Sequence, residues 1–157
     1  MKHFFEYNSP IGDIRIIDNG KAITSILFLL NYPYPPSDAQ KKETPLISKT
    51  FQQLSEYFAG KRTAFDVPLD AQGTDFQKRV WDALCTIPYG ETRSYKQIAA
   101  MAQCPKGARA TGMANNRNPI CIIIPCHRVI GADGSLTGYA AGLPVKQKLL
   151  EIESAIL

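Results

Sequence analysis

The sequence predicts an α/β chain of the mixed (α+β) kind, with a small N-terminal domain of β-sheet and helix over residues 1–72 and a mostly helical domain over residues 73–157. Three observations carry this reading. Residues 11–30, "IGDIRIIDNGKAITSILFLL", cluster Ile, Leu and Phe around Asn19-Gly20, a dipeptide suited to the positive φ values of a tight hairpin. From residue 74 onward, apolar residues recur at helical spacing behind N-cap residues. Between the two, "GKRTAFDVPLDAQG" at 60–73 reads as an extended connection.

In chain order, the hairpin is followed by "NYPYPPSDAQKK", whose prolines stop any regular element and suit a surface loop. "PLISKTFQQLSEYF" then places Leu46, Ile47, Phe51, Leu54, Tyr57 and Phe58 at helical spacing, so an amphipathic helix runs over 45–58 and ends at Gly60. Thr74 or Asp75 caps a helix over "FQKRVWDALCTI", with Phe76, Val80, Trp81 and Leu84 on one face. After the turn "PYGET", Ser94 stands at an N-cap with Gln97 three residues on, a capping box opening "SYKQIAAMA". A break at "QCP" precedes a second short helix, "KGARATGMANN". "ICIII" reads as a short buried strand leading into Pro125, Cys126 and His127. "GADGSLTGYAAGL" is a glycine-rich loop, and a last helix starts near Pro144 in "PVKQKLLEIESAIL", turning Leu149, Leu150 and Ile152 inward.

Composition bounds the function. A chain of 157 residues that is 45% hydrophobic is long and apolar enough to bury a core. No apolar run approaches the roughly 20 residues a bilayer span needs, and the start "MKHFFEYNSP" lacks the features of a secretory signal. The expectation is a cytoplasmic protein, or a nuclear one in a eukaryote, with no membrane partner. Cys85, Cys104, Cys121 and Cys126 show no metal-binding spacing and are expected as free thiols without a metal. Residues 1–70 carry eight basic and eight acidic side chains, whereas residues 71–157 carry ten and six. The second part is therefore the one suited to meet a polyanion.

Two features of the second part carry chemistry. The first is the pair of short helices, which form either a helix-turn-helix or a plain helical hairpin. In the second of them Gly107, Ala108, Ala110 and Gly112 surround Arg109. Such a surface offers little for reading base edges in the major groove, but it lets a backbone approach a minor groove about 6 Å wide while Arg109 projects. The second feature is Cys126 beside His127. A thiol becomes a strong nucleophile once ionised, and an imidazole takes its proton if a carboxylate fixes the ring; Glu151 or Glu153 supplies one.

"PCHRVI", preceded by "NP" and an aliphatic run and followed by "GYAAGLPVKQKLLEIE", resembles the signature of the O6-alkylguanine-DNA alkyltransferases, also called methylated-DNA-protein-cysteine methyltransferases. The likeness continues through "GTDFQKRVW", "IPYGETRSY" and "ARATG", and so covers residues 73–153. The first seventy residues agree in general layout. The resemblance implies a DNA-repair protein that moves the alkyl group of O6-alkylguanine in double-stranded DNA onto Cys126. It acts once per molecule, as a monomer, with no cofactor, and O4-alkylthymine is a second candidate substrate. On matching positions it implies His127 as a water-mediated base, Glu153 as its orienter, and Tyr95 as proton donor to the departing guanine. Asn118 ties the recognition helix to the acceptor segment, and Arg109 fills the space left by a flipped nucleotide. The implied DNA-binding set is Lys106, Ala108, Arg109, Ala110, Gly112 and Tyr95. The implied pocket set is Val129, Tyr139 and Ala140, with the carbonyls of Cys126 and Val129 reading the guanine edge. Ala140 departs from members with serine there, and the zinc ligands that some members carry in the first domain are absent. A sensor that flips the base without repair would lack Cys126; a cysteine hydrolase would leave "GARATG" without a role.

Overall fold

The first residues of the chain form a strand that the alternation did not single out. The computed structural model describes residues 1–154 and divides into two units, Met1–Ala71 and Gln72–Leu157.

In the first unit, β1 (Lys2–Tyr7), β2 (Ile14–Asp18), β3 (Ile23–Phe28) and β4 (Ala39–Lys41) form one sheet in the order β3-β2-β1-β4. The hairpin around Asn19-Gly20 is β2 against β3, with Ile16 opposite Ile26 and Gly20 at φ 90°. β1 runs antiparallel to β2, and β4 runs parallel to β1. That last pairing corrects the reading of 31–42 as loop throughout: the prolines end before Ala39, which leaves three residues with free N–H groups to pair on the sheet edge.

Helix α1 (Pro45–Phe58) has the expected bounds, because Thr44 accepts from the Ile47 N–H and Gly60 takes a positive φ of 74° just past its end. Its face of Ile47, Leu54 and Tyr57 is wholly buried, each side chain contributing roughly 1.5–3 kcal/mol. The segment 60–73 is more than a connection. Leu69 bridges to Ile23, the Ile23 N–H donates to the Pro68 carbonyl at 2.8 Å, and Val67 is buried, so its apolar residues extend the sheet's edge.

The second unit is built on α2 (Asp75–Cys85), α3 (Tyr95–Met101), α4 (Ala108–Asn116) and α5 (Leu143–Ile152). Thr74 caps α2 through a capping box with Gln77, and Ser94 caps α3 in the same way with Gln97. Val80, Trp81 and Leu84 of α2 are buried together with Ile98 and Ala99 of α3 and Ala114 of α4. The Trp81 ring lies so close to Gly73 that a Cβ there would fall 2.4 Å from it. No helix among the described residues is long and apolar enough to cross a membrane.

The run 120–124 is buried except for the half-buried Ile123, and it is not a strand. Ile120 and Cys121 lead into a turn at Ile122, whose φ is +74°, and the chain returns with the Ile124 N–H bonded to the Ile120 carbonyl at 3.1 Å. Asn118 imposes the reversal by donating from Nδ2 to the Ile124 carbonyl at 2.7 Å and accepting from the Ile120 N–H at 3.0 Å. A single turn of 3-10 helix, Cys126–Arg128, follows, and then β6 (Val129–Ile130), which pairs in parallel with β5 (Arg93–Ser94). Helix α5 stops at Ile152, with Glu153 as its cap; the expected helical run to 157 reaches residues 155–157, which lie outside the described residues.

Candidate active site

Cys126 sits at the start of the 3-10 turn, with Cys126, His127 and Arg128 all buried. Asn115 of α4 donates from Nδ2 to the Cys126 carbonyl at 3.3 Å, and Asn118 holds the turn that precedes it. The small helix and the acceptor segment are thus tied by two asparagines, and only Asn118 was singled out from sequence.

Behind Cys126 lies a closed charge network. Nε2 of His127 is 2.7 Å from Oε2 of Glu153. Arg128 donates to both oxygens of that carboxylate, at 2.8 and 3.1 Å, and to the Ile87 carbonyl at 2.7 Å. The Gly90 N–H adds a further donor to Glu153 at 3.3 Å, and the Tyr89 hydroxyl bonds the Ile152 carbonyl at 3.2 Å. Helical phase decides between the two glutamates considered, since Glu151 is exposed and Glu153 is 3% exposed. Burial holds His127 below its ordinary value, opposed by Glu153, and so favours the neutral ring. A neutral ring that faces a carboxylate through Nε2 carries its proton there, which makes Nδ1 the basic nitrogen.

The Cys126 thiol is held below the ordinary cysteine value. A hydrogen bond from Cys121 is the largest cause, joined by Asn118, the Lys146 charge and Tyr139, all against the cost of burial. Lys146 is the member that sequence reading missed. It is 0% exposed, and Nζ donates to the carbonyls of Val129, Thr137 and Gly138 at 2.5, 2.8 and 3.4 Å. Burial brings its pKa down to about 8, with Cys126 acting in the opposite direction. A lysine in "VKQKLL" reads as a solvated face; its partners become visible only when the chain folds.

Tyr95 is the first residue of α3, placed by the Ser94 cap and by the pairing of β5 with β6. It is half-buried against Gly112 of α4, where an added Cβ would stand 3.7 Å from its ring, and its hydroxyl donates to the Thr137 carbonyl at 2.6 Å. Tyr139 is buried and interacts with Cys126, whereas Ala140 is exposed. The Cys126 carbonyl already accepts from Asn115 Nδ2 and from the Val129 N–H, and the Val129 carbonyl accepts from Lys146. Lys106, Ala108, Arg109 and Ala110 are exposed at and before the start of α4, with Met113 one turn further at 57% exposure. Thr111, Ala114 and Asn115 form the inner face. The site therefore brings a buried thiol, an imidazole and a carboxylate together beneath an exposed helix of small residues around Arg109.

Comparison with known proteins decides the family. Residues 75–155 match the family described as "6-O-methylguanine DNA methyltransferase, DNA binding domain", and residues 4–71 match its "ribonuclease-like domain". The chain belongs to the 6-O-methylguanine DNA methyltransferase family. Within it, the methylated-DNA--protein-cysteine methyltransferase of Mycobacterium tuberculosis is 51% identical over 156 residues, which covers 99% of this chain and 94% of that protein. The namesake of Methanosarcina barkeri is 51% identical over 148 residues, covering 92% of each. Among solved structures, that of Mycobacterium tuberculosis OGT in complex with DNA superposes with a TM-score of 0.90 at 49% identity, covering 98% of this chain and 93% of that one. The family resemblance seen over 73–153 thus extends to the first unit, and the fold class agrees with these methyltransferases.

Proposed function

We propose that this protein repairs DNA by taking the alkyl group of O6-alkylguanine onto Cys126, irreversibly and once per molecule. The observation that carries the reading is the buried Cys126–His127–Glu153 arrangement tied through Asn115 to an exposed helix of small residues around Arg109. Chemistry on a stacked base needs that base outside the duplex, which costs a few kcal/mol of unstacking and unpairing. The Lys106, Ala108, Arg109, Ala110 and Gly112 face enters the minor groove, and Arg109 fills the gap left by the flipped nucleotide.

In the pocket, His127 Nδ1 takes the thiol proton, through a water, while Glu153 and Arg128 hold the ring. The Cys126 sulfur displaces guanine at the alkyl carbon: the C–S bond forms, the C–O6 bond breaks, and the electron pair moves into the purine. Tyr95 turns its hydroxyl from the Thr137 carbonyl to protonate the leaving base, which departs neutral. Tyr139 and Ala140 with Val129 line the pocket, and the Cys126 and Val129 carbonyls read the guanine edge. A dialkyl thioether is a stable linkage that water does not reverse, so the protein is consumed. O4-alkylthymine is a second candidate substrate, and the protein works as a monomer in the compartment that holds the DNA.

The test is incubation with duplex DNA carrying radiolabelled O6-methylguanine, followed by mass analysis of the protein. Label goes to the Cys126 peptide in a one-to-one ratio, and Cys126→Ser abolishes transfer while binding DNA. Label released as a small molecule over many cycles would mark a hydrolase instead.

A further inference from the structure

Cys121 has no part in the reaction sequence proposed above, yet the fold brings it to Cys126. The two are separated by four residues. The turn at Ile122 reverses the chain, the Ile123 N–H bonds the Cys121 carbonyl at 2.9 Å, Cys121 bridges to Ile124, and the Cys126 N–H bonds the Ile124 carbonyl at 2.8 Å. Cys121 is 9% exposed, its sulfur lies 3.9 Å from the Asn118 carbonyl, and its thiol interacts with that of Cys126. Cys85, at the end of α2, is exposed and Cys104, in the turn before α4, is half-buried. The pair is chemically unequal. Cys126 is held toward its thiolate, while the contact with Cys126 and then burial keep Cys121 protonated.

A ready nucleophile with a second thiol already beside it is the arrangement through which a cysteine oxidises reversibly rather than irreversibly. A peroxide is also far smaller than the alkylated base that this sulfur receives under the reading above. We infer that Cys121 and Cys126 form an intrachain disulfide when the protein meets hydrogen peroxide or an alkyl hydroperoxide. The acceptor is thereby silenced, protected from over-oxidation and recovered by reduction.

In the first step the Cys126 thiolate attacks one peroxide oxygen. The O–O bond breaks, sulfur gives up two electrons, and the departing oxygen takes a proton and leaves as water or, from a hydroperoxide, as an alcohol. In the second step the Cys121 sulfur, its proton passed to the sulfenic oxygen, attacks Cys126; the S–S bond forms and water leaves. Two thiols and one hydrogen peroxide give one disulfide and two waters. The short turn keeps the two thiols in contact, and the closed bond would have the ordinary S–S length of about 2.05 Å.

The inference rests on the proposed function only in taking Cys126 as the reactive thiol, and its primary readout is independent of alkyl transfer. Full-length protein is treated with stoichiometric hydrogen peroxide, blocked with N-ethylmaleimide and digested without reductant. The expected product is a Cys121–Cys126 linked peptide, with methyl acceptance lost and then restored by dithiothreitol. In Cys121→Ser the same treatment drives Cys126 to sulfinic and sulfonic acid, and dithiothreitol restores less than about a tenth of the acceptance of that variant's own untreated sample. Cys121→Ala replaces it if the serine hydroxyl, buried among isoleucines, prevents folding. A linkage through Cys85 or Cys104, no linkage at all, or equal recovery with and without Cys121 would overturn the inference. Untreated protein that takes no label yet forms the linked peptide would remove the repair reading and leave this one standing.

Discussion

The Glu153 carboxylate lies 2.7 Å from Nε2 of His127, and neither side chain is exposed to solvent. The same carboxylate neutralises the buried Arg128 guanidinium. One acidic group therefore serves two cationic or ionisable neighbours that are consecutive in sequence, and its loss has two separable consequences. Glu153→Gln leaves Arg128 buried without its counter-charge, which costs about 3 kcal/mol of stability, read from the urea midpoint. It also frees the His127 ring, so the rate of Cys126 alkylation by iodoacetamide in native buffer falls. His127→Gln lowers that rate while leaving the Glu153–Arg128 pair, and an unchanged rate would remove His127 from the mechanism.

The pH dependence follows from Lys146 and Cys126. Because the Cys126 thiol is held below its ordinary value, chiefly by the Cys121 contact, thiolate reactivity should rise through a midpoint below that of the same thiol without those neighbours. Lys146→Met removes a positive charge beside the thiolate and moves that midpoint upward. For stability the sign is set by the lysine. Its folded value of about 8 lies below its ordinary 10.5, so the unfolded chain binds more protons between those pH values. This group's contribution therefore grows as pH rises across that window and is lost as pH falls through about 8. Urea midpoints taken from pH 7.5 to 10.5 should show this slope in the parent and a shallower one in Lys146→Met, against the same background from other groups.

Arg109→Ala separates DNA handling from chemistry. Arg109 is exposed on α4. Repair of duplex DNA should weaken by about 1–3 kcal/mol, or roughly tenfold and beyond, while reaction with free O6-benzylguanine is unchanged. Equal loss on both substrates would contradict insertion into the duplex.

Ser94→Ala removes one half of the capping box that starts α3. The expected loss is about 1 kcal/mol of stability, seen as a lower thermal midpoint. Since Tyr95 is the next residue, duplex repair should fall further than thiol reactivity does.

Local signals were the legible ones. Thr74 and Ser94 mark helix starts because the cap bond spans only two or three residues, and α1 follows its apolar spacing from Pro45 to Phe58, its Thr44 cap going unread. The run 120–124 misled because an apolar run looks alike in a strand and in a turn; the positive φ of Ile122 and the two Asn118 bonds make it a turn. β4 and the edge contact of Leu69 were hidden because parallel pairing and sheet edges are set by distant partners. Within the candidate site, Cys126, His127 and Tyr95 stood out as residue types in a motif. Lys146 and Asn115 did not, since a buried lysine bonded to carbonyls 8 to 17 residues away and an asparagine reaching across 11 residues leave no periodic trace.

Trp81 is the single tryptophan of the chain, and its indole N–H donates to the Ala114 carbonyl of α4 at 2.9 Å. Its emission is therefore an intrinsic optical gauge of how α4 rests on α2. Any strain that reaches this helix when a nucleic acid is gripped will register as a spectral change, with no dye attached and no second fluorophore of its kind to confuse the signal.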